Sequence, residues 1–235
     1  MSDLRLRQPG RPLWRIAVWH AMQTLCFFVM WLGYHYRAWG VRRIPAKGPV
    51  LFVANHQSFF DPVLIGVGAH KRNFFALGRS TLYDTKFTAI MGDLTNSIPV
   101  EQGAGDVKAI KKCVEVLKQD QALLIFPEGA RTLDGKIHRF ETGTMLIIKR
   151  AKPMVVPVAV DGLYDVWPRS RKLPRLRGRA GVMFGQPIPA QTLIDMPAAE
   201  AMSLLRERVL EMREQIDNRL GLEPIASDAD PKPAR

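Results

Sequence analysis

The sequence predicts an α/β fold, a mixed sheet covered by helices and preceded by an apolar N-terminal helix. Three observations carry this. Short runs rich in Val, Ile, Leu and Phe recur at residues 50–54, 122–126 and 154–160, and continuous apolar runs of that length suit strands buried on both faces. Between them lie segments with the helical period, such as Val107, Ile110, Val114 and Leu117 on one face. Strand-like and helix-like segments also alternate, which in a chain of 235 residues points to one α/β domain of ordinary size. A hydrophobic content of 47% excludes a disordered chain.

The opening residues are polar and basic, with Arg5, Arg7 and Arg11. Residues 13–34 are apolar but interrupted by Arg15, His20 and Gln23, so the unbroken part is short for a spanning helix. Trp14, Trp19, Trp31 and Tyr34 lie near its ends and arginines flank both sides. That pattern suits a helix lying in one leaflet of a membrane; a buried core helix is the alternative. A secretory signal fits poorly, because no small-residue cleavage site follows. Residues 1–39 are therefore read as an anchoring segment and 40–220 as the α/β domain, with 221–235 a tail rich in Pro, Ala and Asp that is expected to be disordered.

Within the domain, residues 50–54 form a strand that breaks into a loop before a helix near Val63. Residues 73–77 and 97–100 are further short strands, and 105–119 a helix. Residues 122–126 are a strand closed by Pro127 and Gly129. A helix at 142–151, a strand at 154–160 and a last strand at 180–184 follow, the final pair joined by a connection rich in Pro and Arg. Residues 197–220 make a long amphipathic helix.

Charge narrows the partners. The 34 Lys and Arg outnumber 22 Asp and Glu for a net +12, a surface that seeks nucleic acid, anionic lipid or phosphorylated substrates. The basic run from Arg169 to Arg179 contains no acid; it suits anionic lipid, an acidic carrier protein or a solvated loop. It lacks the interleaved aromatics of single-strand binders, and no DNA-binding motif is present, so no nucleic acid is expected. Cys26 and Cys113 are far apart and make no disulfide framework, which fits a reducing compartment. The five histidines are scattered, so no metal site is expected.

Two segments place polar groups directly after a buried strand, where α/β folds build sites. In the first, Asn55 and His56 are followed by Gln57, Ser58 and then Asp61. A turn between His56 and Asp61 brings the carboxylate back to the imidazole, fixing its tautomer and leaving Nε2 free to take a proton. The same spacing also fits a surface loop with a capping Asp. Ser58 reads as a loop residue, not a nucleophile. The second segment is Phe126-Pro127-Glu128-Gly129-Ala130-Arg131-Thr132. Glycine permits a close turn around a ligand and arginine offers a planar fork for phosphate; a tight turn with a solvated Glu–Arg pair is the alternative.

Taken together, these segments resemble the lysophosphatidic acid acyltransferase family of the glycerolipid acyltransferase superfamily. Asn55, His56 and Asp61 match its first block, FPEGART its third, and Val156-Pro157-Val158 its fourth. Phe140 and Gly143 also match, with Glu141 where a basic residue is usual. The likeness runs over residues 40–185. It implies a glycerolipid acyltransferase-like fold and transfer of a fatty acyl group from acyl-CoA or acyl carrier protein, as co-substrate without another cofactor, to the hydroxyl of 1-acylglycerol-3-phosphate. His56 is then the general base and Asp61 its orienter. Glu128, Gly129 and Arg131 bind the acceptor, Arg131 at its phosphate, with Asn55, Pro127 and Thr132 in support. Membrane lipids are the expected partners, with the site facing the cytoplasm. One departure bears on the acceptor. Such enzymes carry an arginine just after an Ile-Pro-Val-like strand, whereas here SIPV runs into Glu101-Gln102-Gly103. Another lysolipid, a lyso-aminolipid or lysophosphatidylcholine, is the alternative acceptor, and thioester hydrolysis the alternative reaction.

Overall fold

The computed structural model describes residues 12–70, 72–79, 96–100 and 107–222. Arg5, Arg7 and Arg11, the Glu101-Gln102-Gly103 departure and nearly all of the expected tail lie outside the described residues.

Helix α1 (Leu13–Tyr34) starts after Pro12 and stops where His35 turns left-handed at φ 44°. It is long and apolar enough to cross a membrane. Its two faces differ sharply. Ile16, Trp19, Met30 and Tyr34 are buried at helical spacing, and the Gln23 side-chain amide donates to the Gly66 carbonyl at 2.6 Å. Trp14, Val18, Leu25, Phe28 and Leu32 form an exposed apolar stripe. A core helix hides such a stripe, and water disfavours it. Strand β1 (Arg37–Trp39) follows and pairs in parallel with β7 (Gly181–Phe184). The sheet thus starts ahead of the boundary expected at residue 40, because a three-residue edge strand has no pattern of its own. Gly40 sits at φ 71°, and a Cβ there would lie 2.0 Å from the Phe184 carbonyl oxygen, so only glycine fits.

A short 3₁₀ turn (Val41–Arg43) leads to β2 (Val50–Ala54) and α2 (Asp61–Gly68). After them come β3 (Phe74–Arg79), β4 (Ser97–Val100), α3 (Val107–Lys118) and β5 (Ala122–Ile125). The chain continues through α4 (Thr144–Ala151), β6 (Met154–Asp161) and the short α5 (Leu163–Val166) to β7. Strand β8 (Ile188–Pro189), α6 (Ala190–Ile194) and α7 (Ala198–Leu220) complete it. The described strands form one mixed sheet in the order β1-β7-β6-β2-β5-β3-β4, with β8 on β6. Pairings are parallel except β6 with β7 and β6 with β8.

Strand β2 lies at the centre, parallel to β5 and β6. All five of its residues are fully buried, which accounts for the unbroken apolar run, since both faces of a covered sheet are dry. Leu51 and Val53 face the layer holding α3, α4 and α7, while Val50, Phe52 and Ala54 face α1 and α2. Phe52 meets Phe74 and Phe184 edge-on at 5.7 and 5.9 Å. Burying each such side chain stabilises by about 1.5–3 kcal/mol, which holds the carboxyl end of β2 rigid for the loop beyond it.

Candidate active site

The site begins where β2 ends. Asn55 is buried and locks that end to β6, its amide donating to the Val160 carbonyl and accepting the Val160 N–H, both at 2.9 Å. The backbone then turns sharply, because the Asp61 carboxylate at the first turn of α2 gathers it. A single oxygen, Asp61 Oδ2, accepts the Gln57 N–H at 2.6 Å and the Ser58 N–H at 2.8 Å. The same oxygen lies 2.8 Å from His56 Nδ1. An ionised carboxylate only accepts, so Nδ1 carries the proton and Nε2 is the basic nitrogen. Asp61 is completely buried and the His56 side chain is 19% exposed, so one charged partner is dry and the reactive edge is reachable. Phe126 stacks on one face of the imidazole at 3.9 Å between centroids, leaving the ring little freedom to swing.

The segment after β5 closes over this loop. Gly129 turns at φ 73° and donates its N–H to the Phe126 carbonyl at 3.0 Å. Thr132 is buried and donates its N–H to the His56 carbonyl at 2.8 Å; the Pro127 carbonyl accepts from Glu141 N–H at 2.9 Å. Glu128, expected to meet the acceptor, holds two backbone amides in this structure. Its Oε1 accepts the His56 N–H at 2.8 Å and its Oε2 the His138 N–H at 3.1 Å. It therefore clamps two loops together, directly under the base. Burial raises its carboxyl above the ordinary range and the two amide donors pull it down, leaving it at about 7.

Arg131, expected to meet the acceptor phosphate, lies beside Phe59. Its guanidinium lies 3.4 Å over the Phe59 ring, and Phe59 is 47% exposed, so a cation is held against an aromatic ring near the surface. Ser58 is no nucleophile. It is fully buried and its hydroxyl donates to the Trp167 carbonyl at 2.9 Å.

A buried polar network next to His56 was not expected from the sequence. Gln57 Nε2 donates to Asp161 Oδ1 at 3.0 Å, and Arg213 of α7 donates to Asp161 Oδ2 at 2.8 Å. Arg213 also reaches the Gly135 carbonyl at 2.9 Å. Burial and the neighbouring Asp161 push the Asp217 carboxyl up to about 8, so it keeps its proton and hydrogen-bonds Asp161. The only hint is that Arg213 and Asp217 sit four apart on the stripe made by Val209, Met212 and Ile216. Among the described residues no group of His, Cys, Asp and Glu converges as metal ligands would.

Chemically, this is a base with a fixed tautomer, a buried carboxylate to stabilise its protonated form, and a cation near the surface. A family model described as acyltransferase matches residues 35–161. A chloroplastic 1-acyl-sn-glycerol-3-phosphate acyltransferase of Arabidopsis thaliana is 25% identical over 72% of this chain, which spans 47% of that protein. One from Bacillus subtilis is 21% identical over 78% of this chain and 89% of its own length. A lyso-ornithine lipid O-acyltransferase of Pseudomonas aeruginosa is 28% identical, covering 63% and 62% respectively. The crystal structure of the 1-acyl-sn-glycerophosphate acyltransferase of Thermotoga maritima superposes with a TM-score of 0.71 over 87% of this chain and 80% of that one, at 22% identity, which supports the mixed α/β fold.

Proposed function

The chain belongs to the acyltransferase family, and we propose that it moves a fatty acyl group from a thioester carrier to the free hydroxyl of 1-acylglycerol-3-phosphate. The observation that carries this reading is the His56–Asp61 contact of 2.8 Å at the end of a fully buried strand. The lysolipid hydroxyl gives its proton to His56 Nε2 as its oxygen attacks the thioester carbonyl. Asp61 stabilises the imidazolium that forms. Collapse of the tetrahedral adduct breaks the C–S bond, and His56 returns the proton to the departing thiolate. No acyl-enzyme is formed and no further cofactor enters; acyl-CoA or acyl carrier protein is the co-substrate. Arg131 receives the acceptor phosphate, and Glu128 holds the His56 loop in register.

The exposed stripe of α1 supports membrane association. A long-chain lysolipid resides in the bilayer, each buried CH₂ favouring it by about 0.8 kcal/mol, so an enzyme seated at the headgroups need not extract it. The site then faces the cytoplasm, where thioester carriers are found and Cys26 and Cys113 stay reduced. A second acceptor is favoured by one comparison, the lyso-ornithine lipid enzyme, and by the acidic and neutral residues after SIPV.

Acyl-transfer assays with a panel of lysolipids and both carriers test the reading. 1-Acylglycerol-3-phosphate should be the best acceptor, and His56→Ala should lower kcat by about 10²–10⁴-fold with the fold retained. Near-normal transfer by that variant would remove His56 from the mechanism. Preference for an acceptor without phosphate would move the assignment to the lyso-aminolipids.

A further inference from the structure

Between α5 and β7 the chain carries a loop that the chemistry above does not use. Leu173 and Leu176 are 76% and 86% exposed, as open as any large apolar side chains among the described residues. Arg169, Arg171, Lys172, Arg175 and Arg177 surround them and are exposed as well. Arg179 stands apart, since it donates to the Leu220 and Gly221 carbonyls and caps α7. Two bare leucines in a collar of cations, with no acid in between, are costly in water and matched to a surface that is anionic outside and apolar beneath.

The loop is not free to fold back and hide them. At one end the Trp167 ring packs on Phe59 and Phe60, with centroids 5.0 and 4.8 Å apart, and the Trp167 carbonyl accepts the Ser58 hydroxyl. At the other end the Tyr34 hydroxyl donates to the Arg175 carbonyl at 2.9 Å, and Gly178 N–H to the Gly33 carbonyl at 3.1 Å. A Cβ on Gly33 would come within 3.3 Å of the Leu176 carbonyl oxygen. The loop therefore runs against the last turn of α1, beside the exposed Trp31 and Leu32.

We propose that this loop, residues 169–177, is a second membrane contact, with Leu173 and Leu176 entering the acyl layer of an anionic bilayer and the flanking cations meeting its headgroup phosphates. This rests on the acyltransferase reading for its purpose but not for its physics. Continuity with the apolar stripe of α1 and the matched charge select a bilayer as the occupant. The consequence for the site is geometric. Seating the loop fixes Trp167, which holds Phe59 and, through its ring, Arg131. That cation is thereby set at headgroup height, where an acceptor phosphate already lies.

The test uses the full chain in vesicles of phosphatidylcholine with and without phosphatidylglycerol. In a Cys26→Ala, Cys113→Ala background, an environment-sensitive fluorophore is attached at Leu173→Cys and, as a control on the far face, at Glu207→Cys. The proposal expects the first label to shift blue and to be quenched by brominated lipid, and the second to be quenched by iodide. A label at 173 that stays in water on both vesicle types overturns it. Leu173→Gln with Leu176→Gln should raise the apparent KM for bilayer-embedded acceptor about tenfold or more, since each leucine forfeits roughly that factor on transfer. Activity on a short-chain, monomeric acceptor should be unchanged, which separates a failed docking surface from a failed reading of the chemistry. Unchanged bilayer kinetics, or a raised KM for the carrier-protein thioester alone, would also overturn it, the latter by making the loop a protein-docking face.

Discussion

Replacing Glu128 by Gln separates a loop clamp from an acceptor ligand. In the native site both carboxylate oxygens accept backbone N–H groups, from His56 at 2.8 Å and His138 at 3.1 Å. Glutamine has one acceptor and one NH₂, so one of those amides must face another donor. A hydrogen bond to a charged group is worth about 1.5–3 kcal/mol. Against this stands the cost of burying the charge. The carboxyl rises from 4.5 to about 7, and at 1.36 kcal/mol per unit the ionised form is disfavoured by about 3 kcal/mol. That net value already contains the two amide bonds, so the ionised carboxylate remains the less favourable form near pH 8 and Glu128→Gln should not destabilise the protein there. The pH dependence should differ more. An acid whose folded value is raised holds its proton longer in the folded state, so its contribution is full below pH 4.5 and declines as pH rises toward 7. The wild type should show this decline of about 3 kcal/mol, and the variant should lack it. Denaturant melts from pH 4.5 to 8.5 read it directly. Catalysis should tell the other half. The lost amide contact lets the His56 loop shift, so kcat should fall by about 10–100-fold with the acceptor KM little changed, since misplacement by about 1 Å costs that order. A tenfold rise in acceptor KM at normal kcat, or identical pH curves for the two proteins, would refute the clamp.

Asp61→Asn should retain the fold, because the amide oxygen can still accept the Gln57 and Ser58 amides, yet lower kcat by about 10²–10⁴-fold as the imidazolium loses its counter-charge; steady-state kinetics with circular dichroism check both. Arg131→Lys should raise the KM for phosphate-bearing acceptors, since lysine lacks the planar fork that lies on Phe59; an unchanged KM removes the phosphate assignment. Arg213→Ala breaks a buried ion pair and should cost about 3–5 kcal/mol of stability, seen in the same melts. Asp217→Asn keeps a donor toward Asp161 and removes a carboxyl held at about 8. It should be close to neutral below pH 3.8 and gain stability over the wild type as pH rises from there to about 8, keeping the gain above, because the wild-type carboxyl ionises first in the unfolded chain.

Much of this protein was readable from local pattern. Strands β2 and β4 coincide with residues 50–54 and 97–100, as expected; for β2 this is because a centrally buried strand must be apolar at every position. Helix α7 begins at Ala198, within a residue of expectation, because a 3.6-residue period sustained over so long a stretch fits a strand or a loop poorly. The His56–Asp61 pair was legible for a similar reason. The partners are five apart with one turn between them, so the chain can bring them close, and the likeness to the family's first block singled this pairing out from a plain surface loop. What the chain could not disclose depends on residues far apart in sequence. Edge strand β1 exists only through its pairing with Gly181–Met183. Glu128 reads as a solvated or ligand-binding group until its two oxygens are found on amides of separate loops. Arg213 and Asp217 interrupt the apolar stripe of their helix with no visible reason until Asp161 is found 52 positions upstream of Arg213 to meet them. The sequence by itself determined which segments are strands and helices, since these follow from short-range periodicity. Tertiary structure alone decided which polar groups are built into the scaffold, because a buried charge is tolerated only where distant partners satisfy it.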